Sequence, residues 1–128
     1  MQNADHHQDS IATDLTRFQL EILYLLGQSS KQREYGLGLK RKLEAYYDDD
    51  VNNSRLYPNL NQLVDAGLLN KGVIDKRTNY YGLSDDGAVA IRRDAQRRFD
   101  IADSLPANAG QTDGRTEPEV AAGTGGDD

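Results

Sequence analysis

Apolar residues recur along this chain in four stretches with helical spacing, interrupted once by two short β-type runs. In the first stretch Phe18, Ile22, Leu25 and Leu26 fall on one wide stripe, and Leu23 and Tyr24 extend it to more than one side. Thr16 and Gln19 have capping-box spacing at its entry, Leu15 and Leu20 occupy the positions of a hydrophobic staple, and Gly27 supplies the stop. After the loop "QSSKQRE", Tyr35, Leu39, Leu43 and Tyr46 or Tyr47 predict a second helix over about 35–47, with Lys40, Arg41 and Lys42 toward the outside. Gly36 and Gly38 each weaken its first turn by roughly 1 kcal/mol relative to Ala. Asp48, Asp49 and Asp50 follow directly. Acid at a helix C-terminus opposes the macrodipole, so these three read as a solvated turn.

The third stretch, "NNSRLYPNLNQLVDAGLL", places Leu56, Leu60, Leu63 and Val64 on one side of a helix. Asn53 or Ser54 can cap it, Pro58 must lie close to its first turn because proline has no N–H to give, and Gly67 ends it. Its outer face carries Arg55, Tyr57, Asn59, Asn61 and Gln62 where an ordinary surface helix would carry Glu and Lys pairs. In "LLNKGVIDKRTNYYGLS", runs at 68–74 and 79–83 flank the polar connection Asp75, Lys76, Arg77 and Thr78, which predicts a β-hairpin with a basic tip. A fourth helix opens at Ser84, with Asp85 and Asp86 suited to its N-terminal dipole. Its narrow apolar stripe is Ala88, Ile91, Ala95, Phe99 and Ala102, set between Arg92, Arg93, Arg97 and Arg98.

The order helix, helix, helix, hairpin, helix is the plan of a winged helix-turn-helix, a mainly α (α+β) fold. In it the third helix enters the DNA major groove and the wing reaches the backbone or the adjacent minor groove. The side-chain chemistry agrees with a double-stranded DNA partner. Arg makes bidentate contacts with guanine, and Asn or Gln with adenine, so Arg55, Asn59, Asn61 and Gln62 are base-reading types. Ser54 and Tyr57 suit phosphate oxygens, as do backbone N–H groups at a helix N-terminus, and Lys76, Arg77 and Thr78 sit at the wing tip.

The segment "LYPNLNQLVDAGLL" followed by "YYGLSDDG" resembles the PadR-like transcriptional regulators, whose third helix typically carries Leu-Tyr-Pro, then leucines and a Gly-Leu exit. The resemblance covers residues 15 to about 103. It implies a homodimer built through the C-terminal helix, here Ile91, Ala95, Phe99 and Ala102, together with the first helix, and it implies Tyr57 near phosphate. Arg92, Arg93, Arg97 and Arg98 then read as water-facing flanks of that seam, paired with Asp94, Asp100 or Asp103. Where the family usually carries basic residues after the Tyr-Pro turn, this chain has Asn61 and Gln62.

Charge changes the picture. The net charge is −6, yet residues 15–104 hold fourteen basic against thirteen acidic side chains, while residues 1–14 carry −3 and residues 105–128 carry −4. This divides the chain into a flexible acidic arm (1–13), a DNA-binding domain with its dimerisation helix (14–104) and a disordered acidic tail (105–128). Asp outnumbers Glu by 16 to 5 and Arg outnumbers Lys by 10 to 5, a bias associated with very salty cytoplasm, and with it the chain resembles a haloarchaeal member of that family. Acidic tails and Asp48–Asp50 repel DNA unless inorganic cations screen or bridge them at the interface, so binding is expected to survive, or improve, at molar KCl.

Other classes fare worse. There is no cysteine, and the two histidines, His6 and His7, lie in the arm, which removes thiol chemistry and Ser-His or Cys-His nucleophile pairs from the body of the protein. An enzyme, a cofactor and a metal site are therefore not expected. The apolar run 22–26 is far shorter than the roughly 20 residues that span a bilayer, and the N-terminus lacks a secretory signal, so a membrane partner is not expected and the cytoplasm is. The competing reading is a winged-helix protein-interaction module without DNA affinity, which the overall negative charge favours.

Overall fold

The computed structural model describes residues 14–75, 78–108 and 110. Helix α1 (Arg17–Gln28) starts with the capping box that Thr16 and Gln19 spell: the Gln19 N–H donates to Thr16 Oγ1 and the Thr16 N–H donates to Gln19 Oε1, both at 3.1 Å. It runs through Gly27 and not up to it. Ser29 is the C-cap, its hydroxyl donating to the Leu25 carbonyl at 2.8 Å, while a Cβ on Gly27 would lie 3.4 Å from Ile91 Cδ1. Gly27 is thus a point of close helix approach. A 3₁₀ turn follows, in which Lys31 and Gln32 both take left-handed backbone angles (φ 57° and 55°).

Strand β1 (Arg33–Tyr35) comes next, in a segment whose sequence reads as loop. Helix α2 (Gly36–Tyr47) buries Leu39 and Leu43 as predicted, but Tyr35 and Tyr46 are each about half exposed and do not belong to its inner stripe. Tyr47 supplies that position, stacked on Phe18 at 6.1 Å between ring centroids. Asp48 closes α2 in the left-handed conformation, and the exposed Asp49 and Asp50 form the turn.

Helix α3 (Asn53–Asp65) is capped by Asn52, one residue before the expected caps, because its carboxamide oxygen reaches the Ser54 N–H at 3.0 Å. Pro58 is therefore the sixth residue of the helix, past its first turn and inside it, where it cannot donate to the Ser54 carbonyl. Gly67 ends the helix at φ 80° in a Schellman closure. Leu68 N–H donates to Leu63 O at 3.0 Å and Gly67 N–H to Val64 O at 2.9 Å, with Leu63 and Leu68 both buried. The hairpin follows as β2 (Leu69–Val73) and β3 (Asn79–Leu83), antiparallel from Leu69 opposite Leu83 to Val73 opposite Asn79. Strand β1 pairs with the other edge of β3, giving the sheet order β1-β3-β2.

Helix α4 (Asp85–Ser104) begins as the sequence indicates, with Ser84 Oγ accepting from the Gly87 N–H at 2.9 Å and Asp85 and Asp86 in its first turn. The chain divides after Ala95 into two compact units. In the first, Ile22, Leu26, Leu39, Leu43, Leu56 and Leu60 form a fully buried core, and Ile91 packs against it. There, too, the Tyr24 hydroxyl donates to Asp94 Oδ2 at 2.8 Å. The second holds the end of α4, where Gln96 Nε2 donates to Asp100 Oδ1 at 2.8 Å and Phe99, Ile101 and Leu105 are exposed. No helix among the described residues is long and apolar enough to cross a membrane.

Burial holds the phenols of Tyr81 and Tyr47 above their ordinary value of 10.0. A folded-state pKa raised above the unfolded one gives stability that is complete below the unfolded value and is lost as pH rises through the folded one. Stability is therefore expected to fall above about pH 10, and Tyr81→Phe to flatten that decline in denaturant titrations run at several alkaline pH values.

Candidate nucleic-acid interface

The exposed ridge of α3 is built on a platform supplied by the other helices. At its start, the Ser54 hydroxyl donates to Asn52 Oδ1 at 3.0 Å, so the cap residue holds both the backbone and the side chain of Ser54. Arg55 is exposed but not loose: its guanidinium carbon lies 3.9 Å from the centre of the Phe18 ring, which is itself stacked with Tyr47. Cation–π contact of this kind, worth about 0.5–1 kcal/mol at an exposed site, restricts a long side chain before any ligand arrives.

Tyr57 leaves the same helix on the opposite flank. A Cβ on Gly36 would sit 2.8 Å from the Tyr57 hydroxyl, so the glycine that weakens the first turn of α2 is what admits this phenol. Tyr57, Gly36, Arg41, Thr78 and Tyr81 line an open groove of about 520 Å³ between the start of α2 and the root of the wing. Thr78 donates its N–H to Asp75 Oδ1 at 2.9 Å, bracing the connection between β2 and β3. Lys76 and Arg77 lie outside the described residues.

The amides divide. Asn61 and Gln62 are exposed, whereas Asn59 turns toward α1. There Gln19, 8% exposed, donates from Nε2 to Asn59 Oδ1 at 3.0 Å and to Gln62 Oε1 at 2.8 Å, and Asn59 Nδ2 donates to the Arg55 carbonyl at 2.7 Å. Both ends of Asn59 are used within the fold. Gln19 and Phe18 escape a sequence reading as interface residues because their own helix accounts for them, one as a cap and one as core. The cross-helix signal, a polar residue on a stripe facing a row of amides, is visible only once the two helices are paired.

Of the stripe on α4, Ile91 packs on its own core, and Ala95, Phe99 and Ala102 are exposed. An ion pair joins Lys42 to Glu34, and this lysine holds the Glu34 carboxyl below the usual carboxylate range. No group of three or more His, Cys, Asp or Glu suited to a metal ion occurs among the described residues.

Three helices, a three-stranded wing and an exposed polar third helix define a winged-helix DNA-binding protein. Solved structures of that fold include Sco3205, a MarR family transcriptional regulator from Streptomyces coelicolor in complex with DNA (22% identity, TM-score 0.59, covering 87% of this chain and 71% of that one). The chain belongs to the transcriptional regulator PadR-like family, whose model matches residues 22–93. It is similar to RosR of H. salinarum: the structure grown from NaBr is 44% identical with a TM-score of 0.69, covering 74% of this chain and 84% of that one. The hsRosR-S1 complex is likewise 44% identical, with a TM-score of 0.70 over 74% and 82% of the two chains. No curated protein matches the sequence.

Proposed function

We propose that this DNA-binding transcriptional regulator is sequence-specific, acts as a homodimer in the cytoplasm, and reads the major groove with α3. The observation that carries the reading is the exposed ridge Ser54, Arg55, Asn61 and Gln62, braced underneath by Phe18 and Gln19 and flanked by the Tyr57 groove. Arg55 is the principal base reader, Tyr57 and Ser54 contact phosphate, and the cationic pair Lys76 and Arg77 with Thr78 supplies backbone contacts. Asn59, which the residue types alone mark as a base reader, takes a supporting role because its amide is spent on Gln19 and Arg55. Exposed Phe99 and Ala102, with Ala95, form the self-association stripe. Two copies so joined meet half-sites about 10 bp apart or a multiple of that.

Arg55→Ala is expected to lower the ratio of operator to random-DNA affinity roughly tenfold, since one good bidentate pair discriminates by about 1–3 kcal/mol. The double change Lys76→Ala, Arg77→Ala is expected to weaken both DNAs alike. Fluorescence anisotropy with operator and scrambled duplexes, after footprinting the parent protein in high KCl, measures both ratios. Equal binding of operator and scrambled DNA by the parent protein rejects sequence specificity. Stoichiometric capture of a protein partner, with no DNA shift at any salt, favours the interaction-module reading instead.

A further inference from the structure

The hydrogen bonds around Gln19 have a direction, and that direction is set by the backbone. The Thr16 N–H can only donate, so the atom of Gln19 that faces it at 3.1 Å is the carbonyl oxygen. The other end of the same side chain is then the NH₂, and its two protons go to Asn59 and Gln62. Both partners must answer with their oxygens. For Asn59 the NH₂ meets the Arg55 carbonyl, so each end of that amide has a partner within the fold. Gln62 differs: its side chain is exposed, and its NH₂ bonds to none of the described residues.

We infer that Gln19 is a positioning residue that fixes the polarity of the α3 surface, holding Gln62 as a hydrogen-bond donor toward the groove and withdrawing Asn59 from base reading. The groove-facing half of this rests on the proposed insertion of α3 into duplex DNA. The consequence is a statement about sequence preference. Bidentate recognition of adenine by Gln needs the amide oxygen for N6 and the amide nitrogen for N7, and here the oxygen is held toward Gln19 on α1. Gln62 is left to donate to guanine O6 or N7 or to thymine O4, while at adenine it reaches N7 alone and leaves the neighbouring N6 donor unanswered. At the base it faces, the protein selects guanine or thymine, against cytosine, whose exposed N4 is itself a donor.

The test uses the full chain and selection from randomised duplexes in high KCl. The parent is expected to enrich guanine or thymine at one position of each half-site, and Gln62→Met to erase the preference at that position alone. Gln19→Glu keeps an acceptor for the Thr16 N–H but now demands donors from its partners. Gln62 then turns its NH₂ inward and presents oxygen, and the preference at that position moves roughly tenfold toward cytosine or adenine. A residue that merely stabilised the fold would lower affinity without moving a base preference. Should Gln19→Glu not fold by thermal melting, Gln62→Glu makes the same reversal without altering α1, with one oxygen on Gln19 and the other toward the groove. A DNA-free measurement runs alongside. In side-chain amide NMR the Gln62 protons are expected to exchange as fast as those of exposed Asn61, and those of Gln19 and Asn59 more slowly.

Adenine enriched by the parent at the Gln62-dependent position overturns the inference, as does an unchanged preference in folded Gln19→Glu. Protected Gln62 amide protons in the parent overturn it without reference to DNA. A parent that enriches no sequence, with the exchange pattern as expected, overturns the DNA-reading proposal and the groove-facing half with it. The two failures are therefore distinct.

Discussion

Raising KCl from about 0.2 M to about 3 M is expected to leave operator affinity unchanged or to increase it, where a basic regulator making six to ten phosphate contacts loses about 10³–10⁵ between 50 and 200 mM alone. The reason is the small number of cations the surface offers. The α3 ridge presents Arg55 as its one charged side chain among Ser54, Tyr57, Asn61 and Gln62, and the turn just before it holds Asp48, Asp49 and Asp50, all exposed. Few phosphates are neutralised, so few counterions are released on binding, and the salt slope is shallow. The aspartates act in the opposite sense. Bringing them near phosphate requires cations between, and cations taken up on binding make higher salt favourable. The amide and hydroxyl contacts carry no net charge and are not screened. Anisotropy titrations on a footprinted operator across the KCl range measure the slope. A fall of three decades contradicts both the cation-bridging proposal and the inferred adaptation to salt.

Gly87→Ala is expected to cost about 3 kcal/mol or more and to lower Tm by roughly 10–20 °C. A Cβ there would lie 2.2 Å from the Leu68 carbonyl oxygen and 2.7 Å from Leu83 Cδ1. The carbonyl cannot retreat. It accepts from the Ser84 N–H at 3.2 Å, Ser84 Oγ donates to the Gly67 carbonyl at 2.7 Å, and the Leu68 N–H closes the end of α3. This knot is where α3 gives way to β2 and where α4 starts, so it sets the wing's origin relative to the recognition helix. Gly27→Ala is the matched control. Its Cβ would make ordinary contact with Ile91 at 3.4 Å, and replacing a helical glycine, here in the last turn of α1, with alanine gains up to about 1 kcal/mol. Thermal melts of the two variants beside the parent compare them directly. A Gly87→Ala protein as stable as the parent shows that the junction can move.

The two glycines also mark the boundary between what the chain states locally and what it does not. Residues 14–104 were legible as four helices and a hairpin because each signal is short-range. Thr16 and Gln19 meet within one turn, Leu56, Leu60 and Leu63 repeat at the helical period, Gly67 permits the left-handed backbone of a Schellman closure, and Ser84 caps its own helix. The polar character of the third helix was equally plain from residue types. Strand β1 was not, since Arg33, Glu34 and Tyr35 have no pattern of their own and become a strand only beside Gly82, Tyr81 and Tyr80. Nor did local spacing separate Asn59 from Asn61, both of which look like base readers. Helix packing separates them by placing the first against Gln19, 40 positions earlier in the chain, and leaving the second in solvent. Gly27 reads in the sequence as a helix stop and Gly87 draws no reading of its own, and only their neighbours across the core give the two glycines their different tasks. The physical reason is range. Caps, turns and amphipathic stripes are settled by residues within about two turns of each other. The orientation of an amide, the seat of an arginine and the space for a missing Cβ are set by whichever side chains the fold brings up from elsewhere in the chain.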